Sequence, residues 1–161
     1  MKPNRETVMM SIEKVRTIFE DAARELGLAA GATLDEKGAC TIISNVRGMP
    51  EICFAYDAEG DTADIFAEIA VIPDDRTDLL KDFLCDNLFG EKTRGASFAL
   101  LRENNMLVLN RNVEMKVVED GGSLAGILSD FAEVAYNAKQ RVFAPVETTP
   151  VPGADGFVMQ V

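Results

Sequence analysis

The sequence predicts an α+β fold in the order α-β-β-β-α-β-β-α, a twisted antiparallel sheet packed by helices. Three observations predict it. Apolar residues recur at helical spacing in three separate stretches. Runs of β-forming residues at period two fall between those stretches. The runs come as a group of three and then a pair, so the strand-helix-strand alternation of a parallel nucleotide-binding sheet is absent.

The first helix rests on Val8, Ile12, Val15, Phe19, Ala22 and Leu26, spaced alternately four and three apart. Asn4 or Thr7 can cap its start, and Gly27 is placed to end it with Leu28 packing just beyond. Glu13, Arg16, Glu20 and Arg24 form its solvated face. A linker of small residues, Ala29 to Ala32, precedes the first strand, expected over Ala39 to Val46. The second is expected over Glu51 to Tyr56, where Ile52, Phe54 and Tyr56 share one side. Asp57-Ala58-Glu59-Gly60-Asp61 reads as a turn. The third strand, Ile65 to Ile72, sets Ile65, Ala67, Ile69 and Val71 on one face and Phe66, Ala70 and Ile72 on the other. Together these three form a meander.

Pro73-Asp74-Asp75 opens the second helix, where acidic residues suit the helix dipole. Leu79, Leu80, Phe83, Leu84 and Leu88 give it a wide apolar stripe, and Gly90 ends it. Gly95 to Leu101 and Met106 to Asn110 form a hairpin around Glu103-Asn104-Asn105. The third helix begins near Gly122-Ser123 and lines its inner face with Leu124, Ile127, Leu128, Phe131, Val134, Ala135, Ala138 and Val142. Residues 1–143 thus make one domain. Residues 144–161 hold prolines, glycines and the apolar tip Phe157-Val158-Met159, expected to dock as an extended strand on its own domain or on a partner subunit.

Composition narrows the function. The chain has 161 residues, 47% of them hydrophobic, enough for one real core. No apolar run approaches the roughly 20 residues that span a bilayer, and the N-terminus lacks the apolar core of a signal peptide. A cytoplasmic location is the expectation. Sixteen cations against 27 acidic residues give a net charge of −11. That argues against nucleic acid and anionic membrane, and favours a basic or amphipathic polypeptide. Cys40, Cys53 and Cys85 are scattered and odd in number, so they read as buried structural thiols rather than a disulfide framework.

Chemistry is hard to assemble from these residues. There is no histidine, which removes the commonest general base and metal ligand. No Ser-His or Cys-His nucleophile can form. Neither a P-loop nor a G-x-G-x-x-G fingerprint is present. Asp57, Glu59, Asp61 and Glu68 imitate a calcium loop, but Gly60 stands two places early and the flanks read as strands. A hairpin turn is the better account. Gly121-Gly122-Ser123 reads as a capped helix start rather than an anion cradle. No catalytic residue, metal site or cofactor is expected.

The stretch Asp78-Leu79-Leu80-Lys81-Asp82-Phe83-Leu84-Cys85-Asp86-Asn87 carries a resemblance, with its paired leucines ahead of an asparagine. So do Gly95-Ala96-Ser97-Phe98-Ala99-Leu100, Met106-Leu107-Val108-Leu109-Asn110, and the pattern of Leu124, Leu128, Phe131 and Ala135. In order of elements, over roughly residues 6–142, the chain resembles the class I type III secretion chaperones, the Tir-chaperone (CesT-like) family. The final helix of that family often carries a tryptophan; this chain has none, and Tyr136 stands nearby.

The resemblance implies a cytoplasmic, ATP-independent homodimer. Such a protein would hold the N-terminal segment of a secreted effector in extended, secretion-competent form. It implies a dimer interface at the second helix and following hairpin, through Leu80, Phe83, Leu84, Leu88, Phe98 and Leu100. The client-binding residues expected are Ile43, Phe54, Phe66 and Ile69 on the sheet, with Met9 and Met10 on the first helix, methionine suiting a surface that accepts varied side chains. The alternative is a regulatory or scaffold module of the same fold that binds a folded partner.

Overall fold

A computed structural model describes residues 9–145. Its elements are α1 (Ile12–Glu25), β1 (Ala39–Ile42), β2 (Ile52–Asp57), β3 (Thr62–Val71), α2 (Thr77–Asp86), β4 (Ser97–Leu101), β5 (Met106–Glu114) and α3 (Gly121–Phe143). The order is the predicted one. The five strands make one antiparallel sheet, arranged β1-β2-β3-β5-β4. α1 packs on α3, and both cover one face of the sheet. Phe19 of α1 meets Phe54 of β2 with ring centroids 5.1 Å apart, and Ile65, Leu109, Leu124 and Phe131 are fully buried around them.

The end of α1 follows its sequence. Gly27 adopts φ +67, the left-handed conformation that glycine reaches without a Cβ penalty. Its N–H donates to Arg24 C=O at 3.1 Å, and Leu28 N–H donates to Ala23 C=O at 2.9 Å. That pair of bonds is the Schellman stop. The start differs from expectation. Ser11 is the N-cap, accepting from Lys14 N–H, so α1 begins at Ile12. Asn4 and Thr7 lie outside the described residues, as does the tip Phe157-Val158-Met159.

Two further expectations are corrected. β3 carries a bulge: Glu68 faces Val108 and Ala70 faces Leu107, which leaves Ile69 without a partner. The extra residue flips the phase of the strand. Ala70 and Ile72 therefore point into the core with Ile65, Ala67 and Ile69, and Val71 points out. Nor are the cysteines buried. Cys53 and Cys85 are exposed and Cys40 is half-buried, because Cys53 sits on the uncovered sheet face and Cys85 on the outer side of α2. At α3, Asp120 is the N-cap and exchanges bonds with Ser123, a complete capping box.

Candidate protein-binding surfaces

α2 presents an apolar shoulder. Leu79 and Phe83 turn inward, while Leu84 is 56% and Leu88 65% exposed. α2 stops at Asp86, and the chain turns through a short 3-10 segment, Leu88–Gly90. Phe89 there has φ 63 and is 92% exposed. A left-handed conformation costs a non-glycine residue about 1–2 kcal/mol. The fold holds this knuckle from several sides. Asn87 bonds to the Phe98 backbone of β4 in both directions, at 2.7 and 2.9 Å. Asp86 accepts from Lys92 at 3.0 Å and from Arg141 of α3 at 2.6 Å. Arg141 also lies over the Phe83 ring, 4.3 Å from its centroid. Arg94 reaches Asp130 and Glu133 of α3 at 2.6 and 2.9 Å; the Asp130 bond comes first among the causes that raise its pKa. Three large apolar side chains thus stand in solvent on a rigid mount, an arrangement that marks an interaction site.

The six residues expected at the dimer interface divide between surface and core. Leu84 and Leu88 form the shoulder. Leu80 and Leu100 are half-buried and share a small cleft of about 170 Å³ with Ile72 and Thr77. Phe83 and Phe98 are in the core, centroids 4.7 Å apart, and support the shoulder from beneath. Phe89, the most exposed of the large apolar residues described, escaped the sequence reading. A left-handed φ leaves no trace in hydrophobic spacing; the nearest signal is an aromatic residue directly after the stripe and before Gly90.

A second surface runs along β1, an edge strand. Tyr56 N–H donates to Gly38 C=O at 3.0 Å. Cys40 and Ile42 stand opposite Phe54 and Ile52. Backbone groups alternate sides along an antiparallel ladder, so Ala39 and Thr41 face outward. Ala39 is closed off. Its C=O accepts from Asp35 N–H at 2.9 Å, and its N–H donates to the Asp35 carboxylate at 2.8 Å. That second bond is the main cause holding the Asp35 carboxyl below its ordinary pKa. Thr41 C=O has only a 3.7 Å contact from the Cys40 thiol. Thr41 thus forms an open edge, and Ile43, just past the end of the strand, has its side chain 70% exposed. Beside it lies a cleft of about 350 Å³ between β1 and residues 28–33. The small linker residues form its far wall, and a further space of about 530 Å³ continues past them to Glu20 and Arg24 of α1.

Of the residues expected to bind a client, Ile43 lies just past the end of β1 and lines this cleft. Phe54 and Ile69 are buried in the core and are not presented to a partner. Phe66 is half-buried on the uncovered sheet face, opposite Cys53. Met9 is 54% exposed, just ahead of α1. Met10 packs on the core, and its backbone is clamped. The Tyr56 hydroxyl donates to Met10 C=O at 2.6 Å and lies 3.0 Å from Asp61, which accepts from Met10 N–H at 3.2 Å. Burial, then the Asp61 bond, pushes the Tyr56 pKa up to about 12, so the clamp keeps its proton at ordinary pH. Among the described residues, no group of three or more Cys, Asp and Glu side chains is arranged to hold a metal. None of the described helices is long and apolar enough to cross a membrane.

The model of the Tir chaperone protein (CesT) family matches residues 17–138. No curated protein matches the chain. A chain in the crystal structure of the ExsC–ExsE complex superposes with TM-score 0.65 at 14% identity, covering 83% of this chain and 97% of that one. A chain in the structure of the Yersinia pestis type III secretion chaperone SycH with a stable fragment of YscM2 gives TM-score 0.56 at 19% identity, covering 77% and 98%. A chain of the ExoU–SpcU heterodimer from the Pseudomonas aeruginosa type III secretion system gives 0.56 at 14%, covering 76% and 96%. At these identities the likeness is one of fold.

Proposed function

Because the chain belongs to the Tir chaperone protein (CesT) family, we propose that it is a type III secretion chaperone that holds the N-terminal segment of an effector in extended form. The open edge of β1 carries this reading. An extended peptide laid beside Thr41 would satisfy its outward N–H and C=O groups, each such bond contributing about 0.5–1.5 kcal/mol net. Alternate side chains of that peptide would point into the cleft between β1 and the small-residue linker. No energy source is needed, since preferential binding of the extended form is enough to hold it.

The same reading makes the protein a cytoplasmic homodimer and not an enzyme. Leu84, Leu88 and Phe89 would meet their counterparts across a twofold axis. Residues 1–143 would be the chaperone domain, with 144–161 an appended segment. The net charge of −11 favours a client segment of opposite sign.

Co-expression with candidate secreted effectors tests the proposal. The chain should copurify with a client fragment of roughly 50–100 residues that is disordered alone. Thr41→Pro removes an outward N–H that β2 does not use, and Ile43→Asp places a charge at the cleft. Each should lower client affinity at least tenfold with little change in melting temperature. Wild-type affinity in both variants would remove β1 as the client site. Capture of a compact, folded partner would favour a regulatory module instead.

A further inference from the structure

The sheet has a second edge, β4, and a side chain occupies it at Phe98. Phe98 turns its backbone N–H and C=O away from β5, and the Asn87 side chain meets both. Its Oδ1 accepts from Phe98 N–H at 2.7 Å, and its Nδ2 donates to Phe98 C=O at 2.9 Å. A carboxamide carries one acceptor and a donor on one carbon, which is what a neighbouring strand residue would offer at that position. Of the other outward positions, Ala96 N–H donates to Thr93 C=O at 3.0 Å, and Leu100 shares a small cleft with Thr77 and Leu80 of α2. The Phe98 side chain is buried, so the strand cannot slide from under the peg.

A sheet with two open edges is complementary to itself. β1 of one copy could add to β4 of the next, and that contact does not close, so it would propagate into a filament. Occupying β4 at Phe98 blocks this contact while leaving Thr41 of β1 free. We propose that Asn87 is the specificity-determining residue that blocks β4 at Phe98 and stops the chain from adding to its own client edge. The inference rests on the reading of β1 as an open client edge.

The test uses the full chain and sedimentation velocity across micromolar concentrations. Asn87→Leu keeps the branched skeleton and loses both bonds; Asn87→Asp keeps the acceptor alone. Asn87→Leu should form concentration-dependent species larger than any in the wild type, and Asn87→Asp fewer of them. Exchange of the Phe98 amide should quicken at least tenfold in Asn87→Leu. Adding Thr41→Pro to Asn87→Leu should return the sedimentation profile to that of the wild type, with a cooperative melt showing that the double variant is folded. Asn87 acting only as a stabiliser of the α2 terminus predicts aggregates indifferent to Thr41. Large species that persist in the double variant would therefore overturn the proposal. So would a wild-type profile in Asn87→Leu once the Phe98 amide exchanges freely. Should Asn87→Leu fail to fold, Asn87→Asp with and without Thr41→Pro decides by the same comparison. Client capture by Thr41→Pro alone reports separately on the function: full capture there, with self-assembly abolished in the double variant, would leave Asn87 in its role and take the client off β1.

Discussion

Asp86 shows how a carboxylate in a strongly acidic chain can be made structural. Burial pushes its carboxyl pKa up, but the bonds from Arg141 and Lys92 outweigh this, and the balance lies below the ordinary value. The folded state therefore disfavours the protonated acid. Its contribution to stability is complete above the unfolded value, about 3.9, and is lost as pH falls through the lower folded value. Asp86→Asn should cost about 1–2 kcal/mol near neutral pH. That is less than a fully buried pair would lose, because Arg141 and Lys92 are well exposed. The difference between variant and wild type should shrink as pH drops below about 4, read from urea midpoints at a series of pH values. A difference that holds constant down to the acid limit would mean that Asp86 acts by shape rather than charge.

α1 and α3 touch most closely where α3 begins. A Cβ built on Gly121 would stand 2.5 Å from Asp21 Cβ and 2.9 Å from Ala22 N. Neither neighbour is the free end of a side chain, so a methyl group must push the helices apart. Gly121→Ala should cost about 1–3 kcal/mol and lower the melting temperature by roughly 2–4 °C per kcal/mol. A melt within a degree of wild type would show that the helices separate freely. The helices themselves were legible, because Val15, Phe19 and Ala22, or Leu124, Leu128 and Phe131, admit one period only. So was Gly27, whose role needs nothing beyond its neighbours. The β3 bulge was not, because Ile65 to Ile72 is apolar in both phases and alternation cannot choose between them. The sites were less legible than the fold. Spacing placed Leu84 and Leu88 in a stripe wider than one face can bury, but it did not separate them from Leu79 and Phe83, which turn inward. It could not reveal that Phe89 turns outward, or that Phe54 and Ile69 are sealed while Thr41 lies on a free edge. Which strand is outermost depends on the order of strands in the sheet, and no single strand's sequence records that.

Pairing of two copies would explain why the molecule tolerates a strained aromatic residue in water. Each chain carries a charge of −11, so association works against like-charge repulsion and must be driven by apolar contact. Leu84, Leu88 and Phe89 would supply it, and a twofold axis would count each of them twice. Burying a fully exposed phenylalanine or leucine is worth about 1.5–3 kcal/mol, which exceeds the 1–2 kcal/mol that the left-handed turn at Phe89 costs. Phe89→Gly separates the two terms. Glycine takes φ 63 without strain, so the monomer should be as stable as the wild type or more so, in urea melts at dilutions where neither protein is paired. The dimer should weaken at least tenfold, the equivalent of about 1.4 kcal/mol, in sedimentation equilibrium at concentrations spanning the transition. Added salt should tighten both proteins by screening the repulsion. An unchanged dissociation constant in Phe89→Gly would take the knuckle out of the interface, and the exposed shoulder of α2 would then have to serve a partner other than a second copy.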